Sequence, residues 1–170
     1  MTDQDAAHKI IRVLYAPIFT IKAVTYAADV KPEVIRNWLS RRHFILQYSE
    51  TSGQGSRTFF SFYDILQAMI TAELSRLSVD PKDTKNFMMG IMISVVGNIE
   101  DIAADDGNSM ADRYIIFHHS NNLEHLALVH ADEPNPELPE TVKDISRIVL
   151  DCRGLAKKSC EIIRTMPRGY

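Results

Sequence analysis

Between Lys31 and Arg57 the chain gathers five cations (Lys31, Arg36, Arg41, Arg42, Arg57) against two acids, Glu33 and Glu50. Lysine and arginine in such a cluster neutralise phosphates. Arginine, asparagine and glutamate can also read base edges through hydrogen bonds. Tyr48, Ser49, Thr51 and Ser52 follow and can donate to phosphate oxygens. The surrounding pattern is two short helices with a tight turn, a polar loop and a third helix, which sets these groups where a nucleic-acid backbone would meet them.

The elements that must position these residues are legible in outline. The spacing predicts a helix from Gln4 to Leu14, with Ile10, Ile11, Val13 and Leu14 on its apolar side and Pro17 beyond its end. Thr20 is expected to cap a helix through Ala28 with its hydroxyl. Asp29-Val30 makes the turn, and Pro32 suits the first turn of the next helix, which runs to about residue 42. Residues 47–56 form a polar, glycine-bearing loop. A helix over about 62–77 follows, with Ile65, Leu66, Met69, Ile70 and Leu74 at helical spacing.

Taken together, Ile21, Val24, Ala27, Val30, Ile35, Arg36 and Trp38, followed by Arg57-Thr58-Phe59-Phe60-Ser61-Phe62-Tyr63-Asp64, resemble the winged helix-turn-helix head of MerR-type transcriptional regulators. Leu77-Ser-Val-Asp-Pro resembles that family's link to its next helix, so the resemblance covers residues 19 to about 90. It implies a recognition helix in the major groove, with Glu33, Arg36 and Asn37 near base edges or phosphates at its amino end. Arg41, Arg42 and His43 would lie against the backbone at the far end. Arg57 would clamp phosphates or reach the minor groove, with Tyr48 and Ser49 on phosphates and Lys31 beside one. Trp38 and Phe59 are expected to pack the wing onto the helices. The family usually has glycine at the turn and Ser or Thr at the recognition-helix cap, where this chain has Asp29 and Lys31. Aspartate tolerates a left-handed turn.

The second half has another character. Asp80-Pro81-Lys82-Asp83 is a strong helix start, and the helix is expected to run to about Ala103. It is apolar nearly all round (Phe87, Met88, Met89, Ile91, Met92, Ile93, Val95, Val96, Ile99), which suits a core helix, a dimer interface or the wall of a ligand pocket. Asp105-Asp106-Gly107-Asn108 reads as a turn. Tyr114–His118 and Leu123–Val129 read as a hairpin around Asn121-Asn122, which sets His118 opposite His125 and His119 opposite Glu124. A proline-rich linker at 133–139 leads into a last helix over about 140–165. In that helix Val142, Ile145, Val149, Cys152, Ala156, Ser159, Ile163 and Met166 form a heptad-like stripe.

The expected fold is therefore mainly α (α+β). Residues 1–79 form a winged helix-turn-helix head, and residues 80–170 form an effector or dimerisation module of helix, hairpin and helix. At 170 residues and a formal charge of -3 the chain is no general polyanion binder. Residues 1–78 hold nine Lys and Arg against seven Asp and Glu, and residues 79–170 hold ten against fifteen. Of the six histidines, His118, His119, His125 and His130 fall in or beside the hairpin, and they are read as a polar strand end rather than a tetrahedral metal site. Cys152 and Cys160 would lie about 12 Å apart along one helix, too far for a disulfide, and reduced thiols are expected. The acidic start lacks the pattern of a signal peptide. The apolar run Phe87–Ile102, interrupted by Gly90, Ser94, Gly97 and Asn98, falls short of a membrane span.

No phosphate-binding glycine loop, paired catalytic carboxylates or nucleophile–base spacing is present, so no enzyme and no cofactor is expected. The expectation is a cytoplasmic, sequence-specific regulator that binds double-stranded DNA as a homodimer, with a small-molecule or protein effector on the second module and no membrane association. The alternatives are a DNA-architectural or excisionase-like accessory, and a protein-binding module with the helix-turn-helix as scaffold.

Overall fold

A helix over Phe62–Arg76 carries more of the core than any sequence stripe suggests, because it is buried on almost every side. The computed structural model describes residues 1–43, 45–48, 50–51, 58–105, 113–119, 126–132 and 147–166. Among these are six helices: α1 (Asp3–Val13), α2 (Ile21–Ala28), α3 (Pro32–Ser40), α4 (Phe62–Arg76), α5 (Pro81–Ala104) and α6 (Cys152–Thr165). The strands are β1 (Glu50–Thr51), β2 (Thr58–Phe59), β3 (Tyr114–His119), β4 (Leu126–Ala131) and β5 (Arg147–Asp151). They form an antiparallel two-stranded ribbon, β1-β2, and an antiparallel sheet in the order β4-β3-β5. The fold is mainly helical with a minor β component.

Most helix starts follow from local chemistry. Thr2 and Asp5 cap α1 reciprocally, as Ser61 and Asp64 cap α4. At α5 the Asp80 side chain accepts from the Lys82 N–H, and Pro81 occupies the first turn. Thr20 departs from expectation. It stands at the cap of α2 with extended backbone, but its hydroxyl makes no cap bond, is buried, and has no hydrogen-bond partner. The Ala23 N–H bonds instead to the Thr20 carbonyl at 3.0 Å, beside the ordinary first helical bond from Val24.

The largest correction concerns the last helix. The segment expected to be helical from 140 contains a strand: β5 pairs with β3 in the register Ile115↔Leu150 and Phe117↔Ile148. The run Ile148-Val149-Leu150 favours a sheet. Asp151 then accepts from the Gly154 N–H at 2.6 Å and starts α6 at Cys152. Of that heptad-like stripe, Val149 lies in β5 and not in a helix; downstream, Cys152, Ala156, Ser159 and Ile163 are buried as the stripe requires. Gly154 is fitted to its cap, since a Cβ there would stand 2.6 Å from the Asp151 carboxylate.

The hairpin exists, but two residues out of the expected register. His118 faces Ala127 and His119 faces Leu126. The shift is two residues along β4. It removes the His118–His125 and His119–Glu124 pairings; Glu124 and His125 lie outside the described residues, as do the linker at 133–139 and Val142 and Ile145.

One apolar core runs from α1 through α6. Ala6, Ala7 and Ile10 of α1 are buried, whereas Ile11, expected on the apolar side, is exposed. α1 lies against α5 and α6, tied by Asp3–Arg164 at 2.8 Å and by the Gln4 amide donating to the Ala103 carbonyl at 3.0 Å. α5, with 24 residues and a mean hydropathy of 1.5 in its most apolar window, does have the length and composition of a span. It packs on α1, α4 and α6 and buries Met88, Ile91, Met92, Val95 and Ile99 among them. It is not buried all round: Met89 and Ile93 are 75% and 64% exposed.

Candidate nucleic-acid interface

α2 anchors this part of the molecule. Ala23, Val24, Ala27 and Ala28 are buried, and small residues at that spacing let α2 lie close along α4. Asp29 closes α2 in the left-handed conformation at φ 52°, as its turn position requires, and the Val30 N–H reaches back to the Thr25 carbonyl. The turn is braced from outside: Arg76, at the end of α4, donates to the Ala28 carbonyl at 3.0 Å and lies 3.4 Å from the Asp29 carboxylate. Sequence reasoning missed this residue. Its only sequence signal is a basic residue in the last turn of a helix, which ordinarily serves that helix's own carbonyls.

Lys31 then stands at the cap of α3 with no side-chain cap bond, and Pro32 begins the helix. Ile35 and Trp38 are buried, which fixes the opposite face outward. That outer face presents Glu33, Arg36, Asn37 and Ser40, continued by Arg41 and Arg42, all exposed. Arg36 lies 3.7 Å from Glu33, and both are mostly in solvent, so the pair constrains the guanidinium only weakly. The helix ends in a left-handed cap on a residue with a Cβ. Arg42 has φ 55°, its N–H donates to the Leu39 carbonyl, and the His43 N–H donates to the Trp38 carbonyl. Glycine is the usual occupant of that position.

The expected far-end residues Arg41, Arg42 and His43 follow α3 directly. Arg41 and His43 line a cleft of about 410 Å³ with Ser75, Ser78 and Asp80. The Asp80 carboxyl is held below its ordinary range chiefly by the Lys82 backbone N–H, with Lys82 and His43 adding positive charge nearby. Arg42 is exposed, with left-handed backbone.

Past the helix, the chain is pinned to α4 before it enters β1. The Gln47 N–H donates to Asp64 at 3.2 Å, and the Gln67 amide donates to the Ile45 carbonyl at 3.2 Å. Asp64 is fully buried and also accepts from the Ser61 N–H and hydroxyl at 2.9 and 2.8 Å. Its place in the sequence pattern thus has a structural cause: one carboxylate starts α4 and holds the approach to the ribbon. Beyond β2, Phe60 pairs through both backbone groups with Phe19, just ahead of α2. Phe60 is the aromatic that packs here, at 2% exposure, and Phe59 is 36% exposed. Extended backbone sends neighbouring side chains to opposite faces, so only one of the two can enter the core.

Of the expected contact residues, Lys31, Glu33, Arg36, Asn37, Arg41 and Arg42 are exposed on or beside α3. Tyr48 is partly exposed and packs on Tyr15 and Tyr63 at ring separations of 4.6 and 5.5 Å. Ser49 and Arg57 lie outside the described residues. Among the described residues, no three His, Cys, Asp or Glu side chains gather as a metal site would need. No protein-family model matches the chain, and no curated protein matches it in sequence.

Proposed function

We propose that this protein is a sequence-specific, DNA-binding transcriptional regulator of the MerR-like type. Its winged helix-turn-helix head binds an operator as a homodimer in the cytoplasm, and residues 80–170 serve as effector or dimerisation module. The observation that carries this reading is the division of α3. Ile35 and Trp38 lock one face into the core, while Glu33, Arg36, Asn37 and Arg41 leave the other polar and open. A helix of nine residues spans about 13 Å, enough to lie across a major groove some 12 Å wide. The turn at Asp29 is braced by Arg76, and the β1-β2 ribbon follows the helix in the chain, with Arg57 assigned to the phosphates.

The test is selection of genomic DNA fragments by the wild-type chain and by an Arg36→Ala, Arg57→Ala double variant. An inverted repeat enriched by wild type alone is the expected result. Failure of either protein to enrich any fragment would overturn the reading in favour of a protein-binding scaffold. Affinity for the selected fragment is expected to fall at least several-fold in each single variant, with unchanged melting temperature.

A further inference from the structure

The last three residues of α6 are each held by a different side chain of α1 or α2. The Ile163 carbonyl accepts from the Lys9 amine of α1 at 3.5 Å, and Arg164 pairs with Asp3 of α1 at 2.8 Å. The Thr165 hydroxyl oxygen accepts from the Tyr26 phenol of α2 at 3.2 Å. The direction of that last bond follows from its neighbours. The Thr165 hydroxyl lies 2.9 Å from the Glu161 carbonyl, which can only accept, so its proton goes there and its oxygen is left to receive the phenol. The bond spans 139 positions of chain and joins the end of the second module to the helix-turn-helix unit.

α2 has reason to need such a tie. Its buried face is Ala23, Val24, Ala27 and Ala28, small side chains that let it approach α4 but offer shallow ridges against sliding and rotation. Tyr26 is 45% exposed and stands off that face. Beyond it, a groove of about 790 Å³ separates the turn and the start of α3 from α6. Asp29 and Lys31 border the groove on one side, and Lys158 and Glu161 on the other. Tyr26 and Thr165 line the same groove, and their hydrogen bond spans it. Arg76 holds the neighbouring Ala28 carbonyl from α4, so the last turn of α2 is gripped by two different helices.

We propose that Tyr26 and Thr165 are positioning residues: the end of α6 is a strut that sets the tilt of α2 and, through the turn, the angle at which α3 meets DNA. The head is then held by the C-terminal helix of its own chain, and a movement of α6 against α1 changes DNA affinity. This use of the strut rests on the DNA reading, whereas the strut itself is testable without DNA. With the bridge broken the head samples more tilts. The binding-competent fraction falls, and apparent affinity falls in proportion. Because the bond is exposed, the loss is modest.

The experiment compares Tyr26→Phe, Thr165→Val, the double variant and Thr165→Ser in the full chain. The two readouts are hydrogen exchange of the free protein and affinity for the DNA fragment that wild type selects. Tyr26→Phe keeps the ring and Thr165→Val keeps the branched shape, so nearly unchanged melting temperatures are expected. Exchange at the Val30 amide, which bonds to the Thr25 carbonyl, is expected to quicken about three-fold in either single variant, and DNA affinity to fall about three-fold. One bond cannot be lost twice, so the double variant is expected to match the singles. Thr165→Ser, which keeps the hydroxyl, is expected to behave as wild type. The salt dependence of affinity is expected to keep its slope throughout, because no phosphate contact is removed. Additive losses in the double variant, or a loss in Tyr26→Phe alone, would overturn the strut and make Tyr26 a direct contact. Unchanged exchange in both singles would overturn it too, whether or not DNA binds. Quickened exchange with unchanged affinity would overturn the positioning role. Quickened, non-additive exchange in a chain that selects no DNA would uphold the strut and overturn the DNA reading instead.

Discussion

Arg42 shows how a single residue can be asked for two things at once. As the left-handed end of α3 it holds a backbone conformation that disfavours any side chain, and as a cation it adds charge beside the proposed DNA face. Arg42→Gly is therefore expected to raise stability by about 0.5–1 kcal/mol while lowering DNA affinity, a pairing of opposite signs that a purely structural residue would not give. Denaturant unfolding and binding isotherms on the same preparation check it. Cys160 is a simpler case. It is buried on α6, and burial, helped by Asp3 and partly opposed by Arg164, pushes its thiol up to about 11. The unfolded chain releases that proton near 9, so the thiol's contribution to stability is present below that pH and is lost as pH climbs toward 11. Melting temperature measured from pH 8 to 11 is expected to fall through this window, and less steeply in Cys160→Ala.

At the scale of elements, the α2–turn–α3 unit depends on α4 more than on its own sequence. α2 has no side-chain cap, α3 has none, and Asp29 sits in a conformation better suited to glycine. Arg76 compensates by closing the orphan carbonyls at the end of α2 from the neighbouring helix. Arg76→Ala is expected to weaken DNA binding several-fold although the residue lies on α4, and to increase hydrogen exchange at Val30 and along α3. Arg76→Lys should recover little, because an ammonium cannot span both carbonyls and the Asp29 and Glu73 carboxylates in one plane. Asp64 plays the corresponding part on the approach to the ribbon, and its buried carboxylate, accepting three hydrogen bonds, explains why an aspartate stands three residues into α4.

At the scale of the whole molecule, one core connects both ends of the chain. α1 belongs by packing to α5 and α6, and Tyr26 of α2 reaches Thr165 of α6 through a 3.2 Å hydrogen bond. α2 packs on α4 and α4 on α5, so the core links the proposed DNA head to α5. The proposed homodimer is expected to show twice the chain mass by light scattering at micromolar concentration. A monomer at that concentration, still binding an inverted repeat, would mean that the two copies meet only on DNA.

Local chemistry marks where four of the six described helices begin: the capping pairs Thr2–Asp5 and Ser61–Asp64, Asp80-Pro81, and Asp151 with the Gly154 N–H. These are effects of a few neighbouring atoms, so they are visible in a short window of sequence. The outward placement of Arg36 and its neighbours was legible for the same reason, since Ile35 and Trp38 fix the helix face by spacing. Pairing between distant segments was not. Ile148-Val149-Leu150 continues a helical stripe as well as it makes a strand, and only β3 lying alongside decides for the strand. Phe59 and Phe60 are equal on paper, and the backbone bridge to Phe19 selects Phe60 for the core. Arg76 and the tyrosine cluster depend on contacts across 33 to 48 positions of chain, such as Tyr15 with Tyr48 and Arg76 with Ala28. Periodicity reports which side of an element is apolar, but only the tertiary packing says what lies against it.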